Sequence, residues 1–360
     1  MRKQLLTALA AGAVVLAGCA RIETTEVPEG RVISFDNHVN NVVKAIDGEA
    51  GLTSFFVYGA TDASNKVFNN TEVKTDGNSG WAYDTTRYWQ IGNPYKFAAY
   101  SNDNERLAKG VTFTYNETDK SYLTIEYTAA DGNKDLIYSV SAKDSYTYTE
   151  GDDMESVQFT FYHILSNIEL VFTKDETLNN HDLTIKDVKV KACTTATFTG
   201  NAIASTQSQY SYSNWSAHGS EITDAYQYVD ATGQTISGKT TDAGGVTPVK
   251  VNKFLIPQNA SNLTVSFTIV RKGMNADGSE TDTDETYKFE NVSLSLGDQN
   301  DLGWEWDPGF HYVYTATISA DNLGLEPIVF DVDAVEGWSN EDSESSLPID
   351  TSNGINQSAN

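Results

Sequence analysis

The feature that most constrains this chain is a two-residue rhythm. Apolar and polar residues alternate in Tyr122–Ala129 (YLTIEYTA), Leu183–Ala192 (LTIKDVKVKA), Leu263–Val270 (LTVSFTIV) and Tyr312–Ser319 (YVYTATIS). Successive side chains of an extended strand point to opposite faces, so these runs suit half-buried antiparallel strands. Clusters of Gly, Asn and Asp bound them, and no long window carries an apolar stripe of helical period. The 19 tyrosines and the many Thr and Val residues also favour strands. An all-β sandwich or barrel is therefore expected.

At 360 residues the chain is long enough for two domains. A break falls at Tyr148–Ser156 (YTEGDDMES), between strand-like Asp135–Ala142 and strand-like Val157–Ile164. The expected division is an N-terminal β domain over 32–152 and a C-terminal β-sandwich over 153–338. Ser205–Gly245, rich in Ser, Thr, Gly and Gln, reads as long loops with a strand or two. The last expected strand is Glu326–Trp338 (EPIVFDVDAVEGW), and the polar tail 339–360 is expected to be disordered. A net charge of -26 argues against nucleic acid and anionic head groups as partners.

The N-terminus reads as an address. Arg2 and Lys3 precede an apolar run from Leu5 to Gly18, the form of an export signal over 1–18. The run is shorter than the roughly 20 apolar residues a membrane span needs. It ends Leu16-Ala17-Gly18-Cys19, which resembles a bacterial lipobox, with Cys19 as the lipidated residue. Residues 19–31, which include Pro28, read as a tether. Cys193 is the only other cysteine, so a disulfide framework or a cysteine metal site has no members to draw on. It reads as a small buried hydrophobe.

Catalytic chemistry finds no foothold. His38, His163, His181, His218 and His311 form neither His-x-His nor His-Glu-x-x-His, so no metal site is expected. His163, set among strand residues, reads as a packed structural histidine. There is no nucleophile elbow, phosphate loop or nucleotide fingerprint, and no cofactor is expected. Asp277–Glu285 lacks the order of acids of a calcium loop and reads as a solvated hairpin. Trp81, Tyr83, Tyr88, Trp89, Tyr95, Phe97 and Tyr100 could stack sugars, but they also match a β core, which is the favoured reading. No catalytic residue is assigned and no enzyme is expected.

Several motifs together resemble the bacterial fimbrillin family, the lipoprotein pilins of type V pili. They are Phe55–Ala60 (FFVYGA), Tyr88–Asp103 (YWQIGNPYKFAAYSND), Asp135–Ser139, Phe161–Leu170 (FYHILSNIEL), Phe254–Gln258 (FLIPQ) and Trp306–Ile318. The resemblance implies two tandem antiparallel β-sandwich or barrel-like domains, the second transthyretin-like. It also implies a lipidated precursor carried to the outer membrane and cell surface, cut by a surface protease, and polymerised with other pilus subunits by β-strand addition. On this sequence the first strand is Arg31–Val39 (RVISFDNHV), and cleavage between Lys44 and Ala45 removes the segment 31–44. The family pattern more often has Arg at the cut, so Lys44 is a departure. The candidate donor strand carries Ile328, Phe330, Val332 and Ala334 on one parity, and it could equally complete its own domain. The competing expectation is a minor tip adhesin, or a surface lipoprotein that does not polymerise and binds glycan or protein. A third reading, a secreted hydrolase on a β scaffold, would need a cleft of clustered acids and aromatics.

Overall fold

The computed structural model describes residues 31–39, 51–75, 80–201, 210–219, 225–275, 280–294, 296, 305–324 and 326–336. In chain order the first strands are β1 (Phe35–Val39), β2 (Ser54–Ala60), β3 (Lys66–Thr75), β4 (Trp81–Tyr83), β5 (Pro94–Asn102), β6 (Val111–Thr114), β7 (Tyr122–Thr128) and β8 (Leu136–Val140). Next come β9 (Tyr146–Thr147), β10 (Val157–His163), β11 (Ser166–Lys174), β12 (Leu183–Lys191), β13 (Thr195–Thr199), β14 (Trp215–Ser216), β15 (Ala225–Val229) and β16 (Gln234–Gly238). The last are β17 (Val246–Thr247), β18 (Val249–Leu255), β19 (Thr264–Met274), β20 (Glu280–Ser293), β21 (Phe310–Ile318) and β22 (Asp331–Glu336). The helical segments among these residues are short 3₁₀ turns, such as Glu176–Leu178 and Tyr212–Asn214. No helix among the described residues is long and apolar enough to cross a membrane.

The alternating runs are all strands. In β10 every second side chain, Val157, Phe159, Phe161 and His163, is buried, and β7 and β21 alternate in the same way. The strands form an eight-stranded sheet in the order β1-β10-β8-β5-β2-β3-β4, with β9 on β5. Three further sheets have the orders β18-β11-β21-β22, β17-β16-β12-β19-β20 with β15 on β12, and β14-β13-β7-β6. Most pairs are antiparallel, while β1–β10 and β11–β21 are parallel.

β10 begins after the break expected near residue 152, yet it pairs with both β1 and β8. The N-terminal sheet therefore continues to His163. The stretch 205–245 contributes β14, paired with β13, and β15 and β16, both paired with β12. The last strand is shorter than Glu326–Trp338. Pro327 has no N–H to give a ladder, and regular pairing starts only at Asp331. Trp338 lies outside the described residues.

β2 and β5 are buried along nearly their whole length. Near-continuous burial means that both faces of the sheet are covered. Phe55 and Val57 of β2, Tyr95, Phe97 and Ala99 of β5, and Ile137 of β8 face one core with Ile33, Phe35, Phe68, Trp89, Phe159 and Phe161. Phe56, Tyr58, Ala98, Tyr100, Leu136 and Tyr138 face a second core that runs through the other three sheets as far as Phe330. Tyr138 shows how the sheets are joined. Its hydroxyl donates to the Gly200 carbonyl at 2.7 Å, and its ring lies 5.2 Å from that of Phe198.

The crowding leaves no room for a side chain at Gly59. A Cβ there would collide with the Phe97 ring and lie 3.3 Å from Phe68 Cδ2. Gly59→Ala is expected to cost about 1–3 kcal/mol, the usual penalty for overpacking a core. The denaturant midpoint of unfolding checks this, and an unchanged midpoint would contradict the packing described.

Candidate functional site

The first described segment, 31–39, plugs a groove. Ile33 is fully buried and Phe35 nearly so. The Phe35 ring is surrounded by those of Phe68 at 5.1 Å, Tyr83 at 5.5 Å, Phe97 at 5.9 Å and Phe159 at 6.0 Å. Three of these four contacts are edge-to-face, the favourable arrangement for ring quadrupoles. Two such buried side chains stabilise the seated segment by about 1.5–3 kcal/mol each.

The backbone of this segment is held from both sides. On one side β1 runs parallel to β10, from Phe35 opposite Val157 to Val39 opposite Phe161. On the other side the segment 87–89 clasps it. Ile33 N donates to Arg87 O at 2.9 Å, and Trp89 N donates to Arg31 O at 2.8 Å. The Tyr83 hydroxyl donates to Ile33 O at 2.6 Å, and Val157 N donates to Ser34 O at 2.8 Å. Burial pushes the Tyr83 phenol pKa up, so it remains a donor at neutral pH. The clasp has no rhythm in sequence, because it is a single bridge, Val32 to Tyr88, outside any strand. The sequence reading did not identify it.

The site offers an apolar slot of residue spacing two, flanked by backbone donors and acceptors, which is the chemistry that recognises an extended strand. Of the aromatic run, Trp81, Tyr83, Trp89, Tyr95 and Phe97 belong to this slot, Tyr100 faces the other core, and Tyr88 is 43% exposed. His163 is buried on β10, with Nδ1 2.5 Å from Asp135 Oδ2.

The other sequence-predicted residues fall in two groups. Cys19, Lys44 and Ala45 lie outside the described residues. Ile328, Phe330, Val332 and Ala334 lie in and just before β22, an edge strand paired antiparallel with β21. Tyr314 faces Val332, and Tyr312 faces Ala334. Ile328 and Phe330 are buried, and the Phe330 ring sits 5.7 Å from Phe172 and 6.2 Å from Phe267. Val329 between them is 70% exposed. In this structure the candidate donor completes its own sheet, and it does not meet β1, which belongs to another sheet.

Comparison with curated proteins returned no match. Among solved structures, the chain is similar to a Bacteroides uniformis protein named as a candidate cell-adhesion protein, with 17% identity and TM-score 0.46. That match covers 87% of this chain and 100% of the other. It is similar to a Bacteroides ovatus protein named in the same way, with 16% identity, TM-score 0.43, and 87% and 99% coverage. The fimbrial anchor protein Mfa2 from Porphyromonas gingivalis gives 10% identity and TM-score 0.32, over 86% of this chain and 98% of that one. A family model described as fimbrillin-like matches residues 46–335, most of the chain, and the chain therefore belongs to the fimbrillin-like family.

Proposed function

We propose that this chain is a subunit of a cell-surface pilus. It is made as a precursor lipidated at Cys19, delivered to the outer membrane, activated by a cut between Lys44 and Ala45, and polymerised by β-strand addition. The observation that carries this reading is the seating of residues 31–39. They form an edge strand that fills an aromatic slot, and the stretch that follows, 40–50, contains Lys44. A cut there would separate the plug from β2 in the chain, although both lie in the same sheet. An emptied sheet edge is a template for a strand from another molecule, and a head-to-tail contact of that kind grows a filament. The family match begins at residue 46, just beyond the proposed cut. Arg31 is a poorer target, because its carbonyl is engaged by Trp89 N and its guanidinium lies 5.7 Å from the Tyr148 ring.

A sequence echo supports the donor assignment. Ile33-Ser34-Phe35-Asp36 in the plug and Ile328-Val329-Phe330-Asp331 before β22 share the pattern Ile-x-Phe-Asp. The second segment can therefore place an isoleucine and a phenylalanine at the spacing that the slot holds. We read the chain as two units, with the seam after β10. The partners are further pilus subunits, the outer membrane through the lipid, and a surface protease. An adhesin that stacks glycans would use an exposed platform of rings, and in the Trp81–Tyr100 cluster only Tyr88 is strongly exposed, so the buried rings favour the structural role.

The first test is intact mass and N-terminal sequencing of protein sheared from the cell surface. Chains starting at Ala45 within ladder-forming polymers are expected. Monomers that still carry lipid on Cys19 would refute polymerisation. A second test uses a synthetic peptide spanning 326–336 and protein cut after Lys44 and freed of its first segment. The peptide should bind the cut form and not the precursor. Replacing Phe330 by Asp in the peptide should weaken binding by about 100-fold, since losing a buried Phe costs about 3 kcal/mol. Equal binding by both peptides would reject the donor assignment.

A further inference from the structure

Three lysines are buried among the described strands: Lys96, Lys174 and Lys253. The Lys96 ammonium ends on the carbonyls of Asn116, Glu117 and Asp119, and Lys174 ends on the carbonyl of His181 with Asp182 nearby. Both side chains end on backbone carbonyls, with a carboxylate near Lys174. Lys253 differs. It lies on β18, and its Nζ reaches the turn between β7 and β8, where it meets the Asp131 carbonyl at 2.5 Å and the side-chain carboxamide oxygen of Asn133 at 2.7 Å.

The carboxamide is also gripped from its other end. Asn133 Nδ2 donates to Asp131 Oδ2 at 3.0 Å, and Asn133 N donates to Asp131 Oδ1 at 3.1 Å. The turn is docked on β18 by a main-chain bond from Phe254 N to Gly132 O at 2.7 Å. Gly132 has φ +69, and a Cβ there would come within 3.1 Å of Lys253 Cβ and 3.2 Å of Leu255 Cδ2. An amine, a carboxamide and a carboxylate are thus placed in sequence, and the backbone around them is tightly held. Burial pushes the Lys253 pKa down, against the opposing pull of the Asp131 charge.

We propose that Lys253 and Asn133 react to form an intramolecular isopeptide bond, with Asp131 carrying the proton. The lone pair of the neutral Nζ attacks Asn133 Cγ, and a Nζ–Cγ bond forms. The Cγ–Nδ2 bond breaks. The Asp131 carboxylate takes the proton that Nζ sheds and passes it to Nδ2, which leaves as ammonia into solvent at the exposed turn. The carboxylate ends as it began, and no oxidant or cofactor is consumed. Holding nucleophile, electrophile and proton carrier in one geometry is what makes such a step feasible without an enzyme. The bond would tie residues 120 positions apart and link the β7–β8 turn to the sheet of β18. It would serve as a covalent staple in a chain whose cysteines offer none.

The test is intact mass of the purified full chain, followed by proteolysis and peptide sequencing. A chain lighter than its sequence by one ammonia is expected, together with a branched peptide joining Lys253 to Asn133. Lys253→Arg, Asn133→Ala and Asp131→Ala should each restore the full mass and remove the branched peptide. Linear peptides with both side chains intact would overturn the proposal. So would an ammonia loss confined to a linear peptide around Asn133, which is the mark of succinimide formation. The wild-type measurement decides the matter even if a variant fails to fold, and it is independent of pilus assembly.

Discussion

Everything in this structure depends on the two middle strands β2 and β5, which are wet on neither face. β2 and β5 supply Phe55, Val57, Phe97 and Ala99 to one core and Phe56, Tyr58, Ala98 and Tyr100 to the other. A sheet used in this way cannot shift its register, because a one-residue slip would exchange the contents of the two cores. Small residues sit where large ones oppose them. Gly59 lies beneath the Phe97 ring, and Gly200 beneath the Tyr138 ring. The wall thereby couples the N-terminal aromatic slot to the rest of the molecule.

A wall of this kind must end somewhere, and its edges carry the functional interest. β1 closes one edge of the eight-stranded sheet and β22 one edge of the four-stranded sheet that contains β11. Unpaired edges invite association. The long edge strand β20 carries many charged residues, among them Asp282, Asp284, Glu285, Lys288 and Glu290, and charged side chains along an edge discourage indiscriminate pairing. The slot around Phe35 is the opposite, apolar and ring-lined, and it admits a strand only if the apolar residues of that strand are correctly spaced. The two edges therefore differ in chemistry, one apolar and ring-lined, the other charged.

Buried lysines are the second structural device. An ammonium removed from water costs several kcal/mol unless it is compensated. Lys96 meets that cost by collecting the carbonyls of one turn, and Lys253 reaches the oxygens of another. Turns that sequence alone leaves loose are pinned to strands remote in the chain.

The local order was legible. Alternation placed β7, β12, β19 and β21, because a strand with one face in a core has to repeat every second residue. The resemblance to the fimbrillin family was legible in short motifs such as FFVYGA and FYHILSNIEL, and the family match bears it out. Three things were not legible. The seam near residue 152 looked like a boundary because its composition is that of a loop, whereas β10 beyond it returns to the N-terminal sheet through hydrogen bonds that leave no local trace. The clasp of residues 87–89 on Ile33 and the meeting of Lys253 with Asn133 join positions dozens of residues apart. The sequence by itself determined the strands and the alternation of their faces, since both follow from backbone geometry and apolar spacing. Only the tertiary structure decided which edges are adjacent, which rings enclose Phe35 and which amine reaches which carboxamide. Those depend on long-range pairing, whose free energy appears only once the whole chain has closed on itself.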